Sequence, residues 1–146
     1  MLADASRDAL IVYPRPTAGD IVYCRFPERE VPSTPGPKPR PAIVMSVEEM
    51  DGGSIVKVVY GTTRHTNQLF GGEFLISPAD GDAYKVAGLS YQTKFDFRNT
   101  FRLPYDSSWF RPPLTTPPKK TPVMGHVHPS LYRKMKAAYD AANNGG

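Results

Sequence analysis

The sequence predicts a mainly β domain of five or six short antiparallel strands, arranged as a curled sheet or small, partly open barrel with one C-terminal helix. The 16 prolines and 12 glycines among 146 residues are too many for a helical bundle. Several segments alternate apolar and polar residues, or stay apolar over the length of one strand. Convincing helical spacing occurs near the C-terminus, so we expect one helix to close a protein built from strands.

Residues 1–18 predict an N-terminal arm ahead of a single domain that spans residues 19–146. The arm contains a short apolar patch and two prolines, and it either packs on the domain or stays mobile. The first strand follows directly, since residues 19–26 read GDIVYCRF. A Gly-Asp turn opens this strand, and every second residue from Val22 to Phe26 falls on one face.

A proline-rich loop separates the first strand from the next two. The prolines of residues 27–40 exclude a helix or an interior strand. Residues 41–47, PAIVMSV, and residues 54–61, SIVKVVYG, are apolar runs on either side of the turn MDGG, and they predict an antiparallel pair. Two cations, Lys38 and Arg40, stand where the loop meets the first run.

Residues 91–103, YQTKFDFRNTFRL, show the clearest period of two. The even positions are polar, which predicts a long strand with one buried and one solvent-exposed face. The apolar residues all fall on odd positions and are Tyr91, Phe95, Phe97, Phe101 and Leu103. The charged residues predicted on the exposed face are Lys94, Asp96, Arg98 and Arg102. Residues 62–88, which precede this strand, mix turns with one strand-like piece, EFLIS.

The C-terminal part begins with a proline-rich insertion at residues 111–122, RPPLTTPPKKTP, which favours polyproline II at the surface. Residues 123–127, VMGHV, predict a last short strand. In the final segment, Pro129 is predicted at the first helical position. The apolar residues at helical spacing that predict an amphipathic C-terminal helix are Leu131, Met135, Ala138 and Ala142.

The charge distribution is uneven. The net charge is +4, and the stretch from Arg111 to Lys136 has six cations with no Asp or Glu. Such a stretch attracts a polyanion such as nucleic acid through phosphate contacts and counterion release. The alternative is an ordinary solvated surface.

The cysteine and hydropathy patterns indicate a cytoplasmic protein. Cys24 is the single cysteine, so no intramolecular disulfide can form, and the N-terminus has no secretory-signal pattern. No stretch approaches the ~20 apolar residues needed to span a bilayer, so we expect no membrane role.

The motifs GDIVYCRFP, RPAIVMS, VVYGTT, AGLSYQTKF and GHVHPSLYRKMKAAYDA follow one another in this order. This order resembles the MazF/PemK family of toxins from bacterial type II toxin–antitoxin modules, whose SH3-like barrel is shared with the gyrase poison CcdB. The resemblance covers residues 19–142 apart from the insertion, and it implies a small SH3-like, partly open barrel. It also implies a homodimeric, metal-independent endoribonuclease that cuts single-stranded RNA, needs no cofactor and is silenced by a cognate antitoxin protein.

The resemblance also implies a site. Arg40 matches the arginine of the family's RP motif, which delivers a fixed positive charge to the scissile phosphate, and Thr62 matches a threonine that hydrogen-bonds it. We therefore predict Arg40, Thr62 and His65 as catalytic residues. The predicted RNA-binding residues are Arg29, Lys38, Thr63, Lys94, Arg98 and Arg102. The alternatives are an ordinary surface cation for Arg40 and a β-branched strand end for Thr62.

One departure from the family concerns proton transfer. Several members carry an acid immediately before the glutamine in the stretch that reads SYQTK here, and this chain has Tyr91 instead. His65 is a possible substitute, because imidazole commonly moves protons near neutral pH. The alternative for His65 is a solvated turn residue, and Arg29 has a similar surface alternative.

Three further residues have competing interpretations. His126 and His128 are two apart, but no third ligand stands at a suitable spacing and Pro129 follows, so we expect the beginning of a helix and no metal site. Trp109 either stacks on a base or anchors the insertion in the core.

The alternative function is a non-catalytic module of the same fold that binds nucleic acid or a protein such as a topoisomerase. Tyr91 and the additional arm and insertion favour it. A structural protein of a mobile element that has adopted the fold ranks below both.

Overall fold

The computed structural model describes residues 9–144 and shows a mainly β protein with a C-terminal helix, as predicted. The strands are β1 Asp20–Cys24, β2 Arg40–Met50, β3 Gly53–Thr62, β4 Glu73–Ile76, β5 Thr93–Pro104 and β6 Val123–His126. The helices are α1 Asp82–Ala87 and α2 Tyr132–Asn144. Among the described residues, the strands form one antiparallel sheet in the order β4-β5-β3-β2-β1-β6, which stays open because β4 and β6 are its edges.

The predicted antiparallel pair is the hairpin of β2 and β3. Ala42 lies opposite Tyr60, and Met50 lies opposite Gly53 at the turn. Gly52 in this turn has φ +87°, a left-handed conformation that glycine adopts at little cost. The hairpin forms the centre of the sheet, with β1 on one side and β5 on the other.

Each face of the sheet packs in its own hydrophobic core. The helix-side core consists of Ile21, Ile43, Val59, Phe74, Ile76, Ala83, Ala87, Leu89, Phe95, Val127, Leu131 and Ala138. The arm-side core consists of Tyr13, Val22, Cys24, Phe26, Ala42, Val44, Val56, Val58, Leu103, Tyr105 and Phe110. The shared face predicted for Val22, Cys24 and Phe26 is confirmed, since all three belong to the arm-side core.

The described part of the N-terminal arm packs on the domain. Val12 forms a bridge with Asp106, and the backbone N–H of Tyr13 donates to the carbonyl of Tyr105 at 3.2 Å. The ring of Tyr13 packs edge-on against that of Tyr105. Residues 1–8 of the predicted arm lie outside the described residues.

The predicted alternation of β5 is wrong at Lys94, which is buried with 6% of its surface exposed. The cause is a bulge, because Val59 of β3 pairs with Thr100 while the next residue, Tyr60, pairs with Asp96. The register therefore shifts by an odd number of residues, which reverses the faces of β5 on the two sides of the bulge. As a result Phe95 packs in the helix-side core and Leu103 in the arm-side core, although both are odd positions.

The predicted strand-like piece, last strand and C-terminal helix are confirmed, while α1 was not predicted. β4 and β6 fall within EFLIS and VMGHV, and a 3₁₀ turn over Pro129–Leu131 leads into α2. His128 caps that turn, since its ring accepts a hydrogen bond from the backbone N–H of Ser130 at 3.0 Å. The short α1 ends at Ala87 and is followed by Gly88, whose φ of +72° is typical of the glycine after a helix. No helix among residues 9–144 is long and apolar enough to cross a membrane.

Candidate functional site

A concave cleft of about 460 Å³ lies where the first residue of β2, the last residue of β3 and two loops meet. The loops contribute residues 88–91, ahead of β5, and residues 113–119 of the proline-rich insertion. The volume is within the range of ~300–1,000 Å³ that is usual for ligand sites in proteins. The cleft is therefore large enough for a nucleotide-sized ligand.

The β2–β3 hairpin brings Arg40 and Thr62 to the same end of the sheet. Ala42 pairs with Tyr60, so the same antiparallel register extended by two residues places Arg40 beside Thr62. Both residues line the cleft, and Lys38 and Thr63, their near neighbours along the chain, line it as well. Four of the residues that the sequence predicted for the site are thus together.

The charge of the cleft is positive. Its charged lining residues are Lys38, Arg40 and Lys119, and no acidic residue is among the described residues that line it. Within residues 9–144, Arg40 and Lys38 form no ion pair with a carboxylate. Cations without a carboxylate partner in a concave site favour the binding of an anion.

Hydroxyl groups stand next to these cations. The Thr62 hydroxyl accepts a hydrogen bond from the backbone N–H of Arg64 at 3.1 Å, which leaves its own proton free to donate to a ligand. Thr93 is fully buried, and its hydroxyl donates to the carbonyl of Tyr91 at 2.8 Å. This bond fixes the backbone of Tyr91 at the edge of the cleft, while 72% of the Tyr91 surface stays exposed.

The proline-rich insertion forms one wall of the cleft, and we call residues 111–122 the proline strap. Both of its ends are bonded to one residue of β1. The N–H of Arg111 donates to the carbonyl of Tyr23 at 3.2 Å, and the N–H of Tyr23 donates to the carbonyl of Pro122 at 3.0 Å. Pro122 is fully buried, so the strap leaves the sheet and returns to it at fixed points.

Two of the predicted site residues lie in loops away from the cleft lining. His65 is exposed in the turn after β3, with φ +55°, and Arg29 is exposed in the loop between β1 and β2. Neither lines the cleft. Their predicted roles stay predictions.

The three cations of β5 have other neighbours. The ammonium of Lys94 forms an ion pair with Glu73 at 3.1 Å and donates to the carbonyl of Gln68 at 3.0 Å. Arg102 forms an exposed ion pair with Glu48, and the side chain of Arg98 lies beside Gly71 and Gly72. None of the three lines the cleft.

The remaining interpretations concern Trp109 and the histidines. Trp109 is partly buried and packs against the arm-side core, which favours its role as an anchor for the strap. His128 caps the turn before α2. Within the described part of the chain, no group of three or more His, Cys, Asp or Glu side chains is placed to hold a metal ion.

Sequence reasoning missed the residues that complete the cleft. Tyr23, Leu114 and Lys119 line it, and Tyr91 was noted only as a departure from a family pattern. Leu114, a lone apolar residue between prolines and threonines, was the available signal in the strap.

Compared with known proteins, the chain matches no family model and no curated sequence.

Proposed function

We propose that the cleft binds single-stranded RNA and cuts it without a metal, as a toxin of the MazF/PemK type. The observation that carries the proposal is Arg40, which lines a concave site with Lys38 and Lys119 and whose guanidinium has no carboxylate partner within residues 9–144. Thr62 and Thr63 stand beside it as hydrogen-bond donors. A guanidinium recognises two phosphate oxygens at once, so this arrangement suits a phosphodiester.

The reaction is an attack within the RNA. The 2′-oxygen forms a bond to the neighbouring phosphorus, and the bond from phosphorus to the 5′-oxygen breaks. The 2′-hydroxyl loses one proton and the departing 5′-oxygen gains one, which leaves a 2′,3′-cyclic phosphate and a 5′-hydroxyl. Arg40 stabilises the negative charge that builds on the non-bridging oxygens, and the threonine hydroxyls donate hydrogen bonds to the same oxygens.

The proposed reaction also needs groups that accept and donate a proton. The lining residues that can exchange protons include the phenols of Tyr23 and Tyr91 and the ammonium of Lys38. The described residues that line the cleft include neither a carboxylate nor an imidazole. His65 follows Thr63 by two residues, and its catalytic role stays part of the proposal.

The fold type and the partners belong to the same proposal. Register shifts in three of the strand pairings, β1–β6, β2–β3 and β3–β5, support a sheet that curls in the manner of an SH3-like barrel. A cytoplasmic homodimer, silenced by an antitoxin whose flexible tail occupies the same cleft, is what the family resemblance implies.

The test is cleavage of mixed-sequence RNA by the purified protein in EDTA, with the products analysed for cyclic phosphate ends. We expect cleavage by the wild type and a rate about 10²–10³-fold lower for Arg40→Ala. Arg133→Ala is the matched control, because this exposed cation lies on α2 outside the cleft. Intact RNA with folded wild-type protein, or equal cleavage by Arg40→Ala, would overturn the proposal.

A non-catalytic module is the second candidate function. The observation that favours it is that the described residues lining the cleft include neither a carboxylate nor an imidazole to transfer protons. Such a module retains RNA, or a protein such as a topoisomerase, without cutting RNA. Growth inhibition that persists in Arg40→Ala would support the module, whereas joint loss of inhibition and cleavage supports the enzyme.

A further inference from the structure

The two most exposed large apolar side chains among residues 9–144 both line the cationic cleft. Leu114 has 96% of its surface exposed and Tyr91 has 72%, while the next is Phe70 with 59%. Exposed apolar side chains within a concave charged site indicate a ligand that has both an apolar surface and a charge. A simple anion has no apolar surface that could contact these side chains.

Both side chains are carried on backbone that is held in place. The carbonyl of Tyr91 accepts the hydrogen bond of the buried Thr93 hydroxyl. Leu114 follows two prolines in the strap, whose ends are bonded to Tyr23. Little backbone entropy is therefore lost when a ligand is held between them.

We propose that Tyr91 and Leu114 form a base-holding wall, on which an unpaired base stacks while its phosphate lies at Arg40. A nucleotide in a single strand offers a flat apolar face and an adjacent anion, which matches the aromatic ring, the isobutyl group and the cations of this cleft. In a duplex the bases are stacked inside, so their faces are unavailable to the wall. The identity of the ligand as RNA rests on the proposed function, whereas the roles of Tyr91 and Leu114 are specific to this chain.

The wall predicts which ligands each variant still binds. The ligands are a mixed-sequence RNA with methylated 2′-oxygens, which cannot be cut by its own 2′-hydroxyl, and inorganic polyphosphate, which carries charge without bases. We expect Tyr91→Ala to weaken the RNA complex about 5- to 150-fold, the range for loss of one stacked base, and to leave polyphosphate binding unchanged. Leu114→Ser should weaken RNA binding in the same selective way, though by less.

Two variants separate stacking from other effects. Tyr91→Phe keeps the ring and loses the hydroxyl, so it should bind the RNA like the wild type. Tyr132→Ala removes another exposed tyrosine, which lies on α2 outside the cleft and is 51% exposed, and it should change neither complex. Because Tyr91 and Leu114 are exposed, these substitutions should leave the thermal unfolding curve of the protein unchanged.

Binding is measured by fluorescence anisotropy of labelled RNA, with polyphosphate as a competitor. Selective loss of RNA binding in Tyr91→Ala and Leu114→Ser, with retention in Tyr91→Phe, supports the wall. Wild-type affinity in Tyr91→Ala, or equal weakening of both ligands, overturns the wall and leaves the proposed function standing. A wild-type protein that binds neither ligand overturns both.

Discussion

Arg40 pairs with Cys24 across the ladder between β1 and β2, which ties the first residue of β2 to a position with no exposed surface. The backbone of Arg40 is therefore fixed by the sheet at a position that lines the cleft. A cation on ordered backbone reaches a phosphate with less loss of conformational entropy than a cation on a mobile loop. This relationship explains how a proline-rich loop that runs into a buried strand can present a fixed charge.

The buried thiol beside Arg40 predicts a loss of stability in alkaline solution. Burial raises the pKa of Cys24, so the folded protein keeps a proton that the unfolded chain loses above its thiol pKa of about 8.5. The unfolded state then binds fewer protons than the folded state, and the free energy of unfolding falls as the pH rises above that value. Cys24→Ala should delay the fall until the tyrosines of the unfolded chain begin to ionise near pH 10.

Urea unfolding measured across this pH range checks the prediction. Below pH 8 the free energies of unfolding of the wild type and of Cys24→Ala should change with pH in the same way, which serves as the internal control. Parallel pH profiles for the wild type and Cys24→Ala would show that the thiol is not the cause.

Gly61 sets how closely β2 and β3 approach beside the cleft. A Cβ at this position would overlap the carbonyl oxygen of Pro41 and lie 2.7 Å from a ring carbon of Phe95. We therefore expect Gly61→Ala to lower the free energy of unfolding by about 1–3 kcal/mol, as for other overpacked sites. It should also weaken RNA binding, because Pro41 follows Arg40 directly.

The control for this substitution is Gly71→Ala. Its nearest contact would be the end of the flexible Arg98 side chain at 3.4 Å, so we expect little change in stability. Equal chemical denaturation midpoints for Gly61→Ala and the wild type would contradict the packing at β2 and β3.

The ion pair of Lys94 and Glu73 predicts a large effect on stability. Their side chains are only 7% and 11% exposed, so Lys94→Met leaves a carboxylate with neither its partner nor much water. Loss of one partner of a buried pair costs about 3–5 kcal/mol, and the double replacement of both residues by Met should recover much of this loss.

Arg102→Met is the matched control, because Arg102 and Glu48 form an exposed pair with side chains 62% and 58% exposed. We expect it to change stability by less than about 1 kcal/mol. Thermal and urea unfolding measure both effects. Similar losses for Lys94→Met and Arg102→Met would mean that Lys94 does not stabilise the fold as its burial indicates.

The strands of the hairpin were predictable because their signals are local. Apolar runs, a Gly-rich turn and a Pro-led helical pattern identify β2, β3 and α2 without knowledge of their neighbours. The face of Lys94 was not predictable, since it depends on how β5 pairs with β3 around the bulge at Thr100 and Asp96. Alternation along one strand contains no record of such a shift in register.

Part of the candidate site was likewise predictable from the sequence, and part was not. Arg40 and Thr62 were predicted because the motifs RPAIVMS and VVYGTT, which stand at the ends of two recognisable strands, resemble those of the MazF/PemK family. The strap was predicted only as a surface connection. Its role as a wall depends on hydrogen bonds between Tyr23 and two residues that follow 88 and 99 positions later in the chain, Arg111 and Pro122. Contacts between segments that are far apart along the chain cannot be predicted from the local sequence pattern.

The most direct test of the central claim, that Arg40 contacts the phosphates of a single strand, is the salt dependence of RNA binding by the wild type and Arg40→Ala. The slope of log K against log salt concentration should become shallower by about 0.7 in Arg40→Ala, the value for the loss of one phosphate contact with a single strand. The affinity at low salt should fall as well, while Arg133→Ala keeps the wild-type slope. Identical slopes and affinities for the wild type and Arg40→Ala would contradict the account.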